Sequence, residues 1–209
     1  RSGVSATLLR NPSAVIGALI ILLVALMAIL APWLAPYDPV SINLADRLSP
    51  PSPQHWFGAD ELGRDILSRV MHGARVSLII GLVVIAIAGG LGTLLGATAG
   101  YLGGRADNLI MRVMDVILSF PSLVLALSLA AALGPSLRNA ILAVAFVQIP
   151  KFARLARGEA LALREALFIK AARVSGFRAP WIILHHVIPN SMGPIMVLAT
   201  LTIGDTILV

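Results

Sequence analysis

A succession of apolar stretches, each long enough to cross a bilayer and almost free of charge, limits this chain's fold more than any other feature. A hydrocarbon core about 30 Å thick takes ~20 mainly apolar residues in a helix rising about 1.5 Å per residue. Stretches at about 14–34, 76–101, 109–133, 137–157 and 190–209 meet that length. Strict apolar/polar alternation is absent, so no barrel is expected. With 58% hydrophobic and 12% charged residues and a mean hydropathy of +0.91, the chain lies far from the soluble range. The expected fold class is an all-α polytopic membrane protein, one transmembrane domain over 1–209. Having no cysteine, it has neither disulfides nor thiolate metal sites. It starts at Arg1 and stops inside an apolar run at Val209, so a fragment is expected.

Charge orients the spans. The net charge of +6 and pI of 11.0 would point to a polyanion in a soluble protein, but here the bases sit in particular loops, and no nucleic-acid partner is expected. Residues 151–186 hold seven Lys or Arg against two acids, whereas 37–75 hold four Arg against five acids. The basic loop and the amino terminus are therefore expected in the cytoplasm, with Arg105 and Arg112, and the 37–75 loop outside.

Within the spans, Ala88, Gly92, Gly96 and Gly100 recur every fourth residue, a face on which helices approach backbone to backbone. Pro121 is expected to kink the third span. Asp115 is expected to pair with Arg112 one turn away. Asp205 and Gln148 are possible pathway residues, because a charge deep in a bilayer costs ~3 kcal/mol and usually faces a cavity or a partner; for Asp205, bonding to a neighbouring helix outweighs substrate contact. In the outer loop, LSPPSPQHWFG reads as an extended connector. Asp60 is expected to cap a helix with Glu61 in its first turn, beside close turns at Gly58 and Gly63 and followed by Arg64 and Asp65. These acids lack calcium-loop spacing, and no metal site is expected.

Between the fourth and fifth stretches lies the charged, amphipathic segment 159–189. At about 100° per residue, Leu163, Leu167, Ala171 and Val174 form one stripe. Ala171 and Ala172 leave the helix bare, and Gly176 suits a left-handed stop. A helix lying on the inner leaflet explains the basic charge but not these bare positions, since lipid rewards bulky apolar side chains there.

Lys170-Ala171-Ala172, three residues, Gly176, nine residues, His186, one residue, Ile188 and Pro189 keep the spacing of a cytoplasmic loop signature. On these residues the chain resembles the membrane subunits of ATP-binding-cassette importers, with Lys170, His186 and Ile188 standing where the family has Glu, Ile and Leu. The stretch HWFGADELGRDILSRVMHGARVSL, His55–Leu78, is similar to a segment of the peptide and nickel branch, and within that branch Pro121–Ala172 most resembles dipeptide or D-alanyl-D-alanine permeases. The resemblance implies a type I importer fold with five of six transmembrane helices present and a cytoplasmic coupling helix. That helix would carry Glu165, Lys170, Ala171, Ala172, Arg173 and Gly176, with Pro189 closing the loop. The implied partners are a second homologous permease, two cytoplasmic ATPase subunits and an external solute-binding protein. No cofactor is expected on this chain, which lacks a phosphate-binding G-x-x-x-x-G-K-[ST] loop; ATP and Mg belong to the ATPases. The implied function is import of dipeptides or oligopeptides across a bacterial or archaeal inner membrane, the alternatives being nickel chelates, glutathione or other small solutes. A large residue at Ala172 or Gly176 is then expected to uncouple ATP hydrolysis from uptake without affecting insertion. A remote enzyme reading is an intramembrane aspartyl protease using Asp115 and Asp205.

Overall fold

A computed structural model describes residues 11–208, with side chains as far as Thr206. Its helices are α1 Pro12–Leu34, α2 Ile66–Leu102, α3 Gly104–Leu118, α4 Ser122–Leu133, α5 Leu137–Arg164, α6 Leu167–Val174, α7 Ala179–Ile182 and α8 Ile188–Leu208, the last two joined by a π-helical turn, Ile183–Val187. Among the described residues the only β pairing is an isolated bridge between Ala59 and Asp65. The all-α class holds. Four helical stretches are long and apolar enough to cross a membrane: Pro12–Leu34, Ile66–Leu102, Leu137–Arg164 and Ala179–Thr206. A fifth crossing results if α3 and α4, bent by 89°, form one broken span.

That bend differs from a kinked rod over 109–133. Pro121 has no N–H to donate and holds its predecessor out of the helical region, so α3 ends at Leu118 and α4 restarts at Ser122. The second and fifth stretches also change at their ends. α2 begins at Ile66, ten residues before the expected start at 76, and helix resumes at Ala179 rather than near Pro189. Pro189 therefore lies inside a continuous helical run instead of closing a loop. Its ring would press on the His185 carbonyl in a regular α turn; the wider π turn accommodates it, and the Asn190 amide donates to the His186 carbonyl at 2.6 Å.

The chain forms two compact units, one through Ile79 and one from Ile80. In the first, the Asn11 side chain accepts from the Ser13 N–H, Pro12 pre-sets the first turn, and α1 exposes apolar side chains nearly all round, as expected of a helix solvated by lipid.

In the second unit, α2 meets α5 through the glycine face. A Cβ at Gly92 would stand 2.6 Å from the Ile149 carbonyl oxygen, one at Gly100 would stand 2.5 Å from that of Arg157, and one at Gly96 would overlap the Ala153 carbonyl. Only hydrogen fits there. The core so formed joins Ala88 of α2, Met114 of α3, Phe152 and Ala156 of α5, and Ile195 and Ala199 of α8.

Candidate functional site: a short capped helix and its seat

α5 extends beyond its apolar part to Arg164, where Glu165 ends it and Ala166, with extended backbone, starts α6. The Ala166 carbonyl accepts from the Ile169 and Lys170 N–H groups, each at 3.1 Å. Lys170 pairs with Glu165 at 3.1 Å, and this contact holds the Glu165 carboxyl below its ordinary pKa. At the other end the Phe177 N–H reaches the Ala172 carbonyl and the Gly176 N–H that of Arg173, at 3.2 and 3.0 Å. With Gly176 at φ +82°, this is a Schellman stop. A Cβ at Gly176 would meet nothing within 4 Å, so glycine is needed there for its backbone angle, not for close approach.

α6 is apolar on two sides. Ile169 and Ala172 point inward, into a cluster with Ala97 and Tyr101 of α2, Ala160 of α5, Ile182 of α7 and Ile183 and Val187 of the π turn. Arg173 adds a directed link: its Nε donates to the Tyr101 hydroxyl at 3.0 Å, and its guanidinium lies 4.9 Å from the centre of that ring. On the other side Leu167 is 85% and Val174 90% exposed, with Ala171 and Lys170 also exposed. The stripe read from helical periodicity is thus the outward face of α6, and Leu163 belongs to α5. Ala172 belongs to the seat, so a bulky residue there unseats α6 instead of merely blocking a contact outside the chain.

The residues of the 37–75 loop lie in the first unit, where the proline-rich stretch is a hydrogen-bonded knot rather than an extended connector. Gly58 and Gly63 have φ +77° and +71°, and a Cβ on either would run into the Ser49 or Asn43 carbonyl. The helix cap is Asp65, not Asp60: Asp65 Oδ2 accepts from the Ser68 N–H at 2.8 Å and from its hydroxyl at 2.7 Å. Asp60 closes the preceding turn by accepting from the Leu62 and Arg64 N–H groups, and it pairs with the Arg64 and Arg69 guanidiniums. Burial pushes the Asp60 carboxyl up, but these hydrogen bonds and the Arg64 charge outweigh it and lower its pKa to about 2. Asp65 is also lowered: burial opposes, and bonds from Ser68 and His55 prevail.

Buried His55 has a carboxylate on each ring nitrogen, Asp65 at 3.0 Å and Asp46 at 3.4 Å. The Asp65 bond is the main cause of its raised pKa, opposed by burial and aided by Asp46. The His55 contribution to loop stability is complete below the unfolded value of about 6.5 and is lost as pH rises through the raised folded value. The Asp60 and Asp65 contributions are present above about 3.8 and are lost as pH falls through the lowered values. Amide exchange over 46–68, corrected for intrinsic rate, is therefore expected to quicken between about pH 6 and pH 8, and His55→Gln to flatten that rise. Equal protection at both pH values in the unsubstituted protein would contradict the assignment.

The remaining sequence candidates lie on α5 or pair with its bases. Gln148 is buried, and its Oε1 has no hydrogen-bond partner among the described residues. Asp205 stands 3.9 Å from Lys151. Asp115 pairs with Arg154 at 2.7 Å, not with Arg112, and Asp107 takes both Nε and Nη2 of Arg157 at 2.5 and 2.7 Å. Asp115 and Asp205 each face a different base, which is not the proton-sharing arrangement of a protease dyad. The sequence marks Lys151, Arg154 and Arg157 only as loop charge, though they recur every third residue, and nothing in it marks Asp107 as their partner. The Asp107 and Asp115 pairs border a cavity of about 470 Å³. Among the described residues no group of three or more His, Asp or Glu could hold a metal ion.

A family model described as binding-protein-dependent transport system inner membrane component matches residues 92–208, and one for the N-terminal TM domain of oligopeptide transport permease C matches residues 4–51. The probable D,D-dipeptide transport system permease protein DdpC of Escherichia coli (strain K12) is 54% identical over 198 residues. The dipeptide transport system permease protein DppC of Alkalihalophilus pseudofirmus is 46% identical over 199 residues. The glutathione transport system permease protein GsiD of Escherichia coli O157:H7 is 45% identical over 200 residues. Each alignment covers 95% of this chain, which spans 66% of the length of these relatives.

Proposed function

Because the chain belongs to the family of binding-protein-dependent transport system inner membrane components, we propose that it is a membrane subunit of an ATP-driven importer. It forms, with a second homologous permease, the path for dipeptides or oligopeptides handed over by an external solute-binding protein. ATP and Mg are handled by two cytoplasmic ATPase subunits, and α6 is the helix they grip. The amino terminus and the 159–189 segment face the cytoplasm of a bacterial or archaeal cell, and the 37–75 loop faces outside. The observation carrying this reading is the two-sided character of α6: anchored inward through Ile169, Ala172 and Arg173, it leaves Leu167 and Val174 bare on the opposite face. Large exposed apolar side chains on a capped helix mark a protein interface. Closure of the ATPases would move α6 as a short lever, and its seat passes that motion to the ends of α2, α5 and the π turn. Glutathione import is the second reading, favoured by the relative of that name.

Absence of cysteine makes the topology directly testable. In intact cells a membrane-impermeant maleimide is expected to label Trp56→Cys and to reach Leu167→Cys only after permeabilisation. An ATPase is expected to copurify with the intact complex, and vesicles holding ATP to accumulate labelled L-alanyl-L-alanine or D-alanyl-D-alanine, with glutathione as competitor. Outside labelling of Leu167→Cys, or uptake independent of ATP, would end the importer reading; stronger competition by glutathione than by dipeptide would move the substrate to the second.

A further inference from the structure

Two attachments that differ in kind hold α6 to the rest of the second unit. Ile169 and Ala172 sit in an apolar cluster, and apolar attraction has no preferred direction, so alone it would let a helix of eight residues roll or slide in its seat. Arg173 supplies direction. Its Nε donates to the Tyr101 hydroxyl at 3.0 Å, the one hydrogen bond between α6 and α2 among the described residues. Its guanidinium stands 4.9 Å from the centre of the same ring, and its Nη2 donates to the carbonyl of Arg164, the last residue of α5, at 3.5 Å. One planar group thus spans the ends of α2 and α5.

What stands behind Tyr101 is rigid. Gly100, the residue before it, lies so close to α5 that a Cβ there would stand 2.5 Å from the Arg157 carbonyl oxygen and 2.8 Å from the Ala160 Cβ. Just beyond it, the Arg164 guanidinium lies against Gly103, with Nη1 2.7 Å from where a Cβ would be. The Tyr101 ring is buried among Ala97, Ala160 and Ile169. A displacement delivered to its hydroxyl is therefore received by α2 and α5 as one body.

We propose that Tyr101 and Arg173 are the positioning residues that make α6 a lever: their bond is the joint through which its movement reaches α2 and α5. The assignment rests on the importer reading above. A hydrogen bond weakens steeply once donor and acceptor turn out of line, so this one fixes the angle of α6 on the end of α2, which the apolar seat does not. A lysine at 173 would keep the charge but not the planar fork that addresses the Tyr101 hydroxyl and the Arg164 carbonyl together. Without the joint, the ATPases still grip the outward face of α6 and still hydrolyse ATP. The helix then turns in its seat, and less of its motion is passed on.

The test uses the whole complex in proteoliposomes and follows labelled L-alanyl-L-alanine, with labelled glutathione as a second probe. Tyr101→Phe keeps the ring in the cluster and beside the guanidinium and removes only the hydroxyl; Arg173→Lys keeps the charge and removes the fork. Each is expected to lower uptake per ATP hydrolysed about tenfold, the ratio set by one hydrogen bond to a charged group, with ATPase copurification and ATP hydrolysis retained. Because both remove the same bond, the double variant is expected to be no worse than the weaker single variant. A pair that merely keeps α6 folded gives a different result: copurification and thermal stability fall, and the complexes that remain keep their uptake per ATP. That result, wild-type uptake per ATP in Tyr101→Phe, or losses that multiply in the double variant overturns the joint and leaves the importer reading standing. Failure of the unsubstituted complex to import either probe overturns the importer reading and the joint with it.

Discussion

Leucine at Gly96 is expected to cost the second unit about 3 kcal/mol, a large share of a domain's usual stability. A Cβ there overlaps the Ala153 carbonyl, which is rigid backbone in the middle of α5, so the two helices must separate along their whole glycine face. Parting them also exposes Phe152, which is completely buried against that face. Gly90→Leu, on the same helix with nothing within 4 Å of its Cβ, is the control and is expected to be neutral or slightly stabilising. Thermal unfolding of the purified chain in detergent measures both. A Gly96→Leu protein as stable as Gly90→Leu would show that α2 and α5 do not meet through backbone.

The second large effect concerns α6 from the outside. Leu167→Glu and Val174→Glu each put a carboxylate on the exposed apolar face of α6 and leave its seat untouched, since both side chains point away from it. Each is expected to weaken attachment of the ATPase by about 2 kcal/mol, roughly 30-fold in affinity. Membrane level and thermal stability of the permease should stay as they were, and the double substitution should abolish copurification of the ATPase and ATP-driven uptake. Copurification unchanged in the double variant would free this face of its assigned partner. Ala172 is unsuitable for that experiment. Its side chain lies in the cluster with Ile169 and Ile182, so enlarging it tests folding as much as docking.

Placement of Ala172 shows where reading along the chain stops. Periodicity correctly picked Leu167, Ala171 and Val174 as one stripe, but an apolar stripe is usually a buried one, and the opposite side of the same short helix is buried instead. Neither side could be chosen before the neighbours were known. The 37–75 loop repeats the lesson: Asp60 and Asp65 are both followed by turn-compatible residues, and only the knot around His55 settles which of them caps α2.

The sequence by itself determined the all-helical membrane class, the glycine face of α2 and the left-handed stop at Gly176, because each rests on properties local to a few successive residues: length, four-residue spacing, and a backbone angle that glycine alone adopts without strain. The tertiary structure decided the partners of charge. Asp115 sits one turn from Arg112, yet it bonds to Arg154, 39 residues away, and Asp107 bonds to Arg157, 50 residues away. An ion pair forms between side chains that the packing of helices brings together, and that packing follows from shape matched across the whole bundle, which no short window of residues contains.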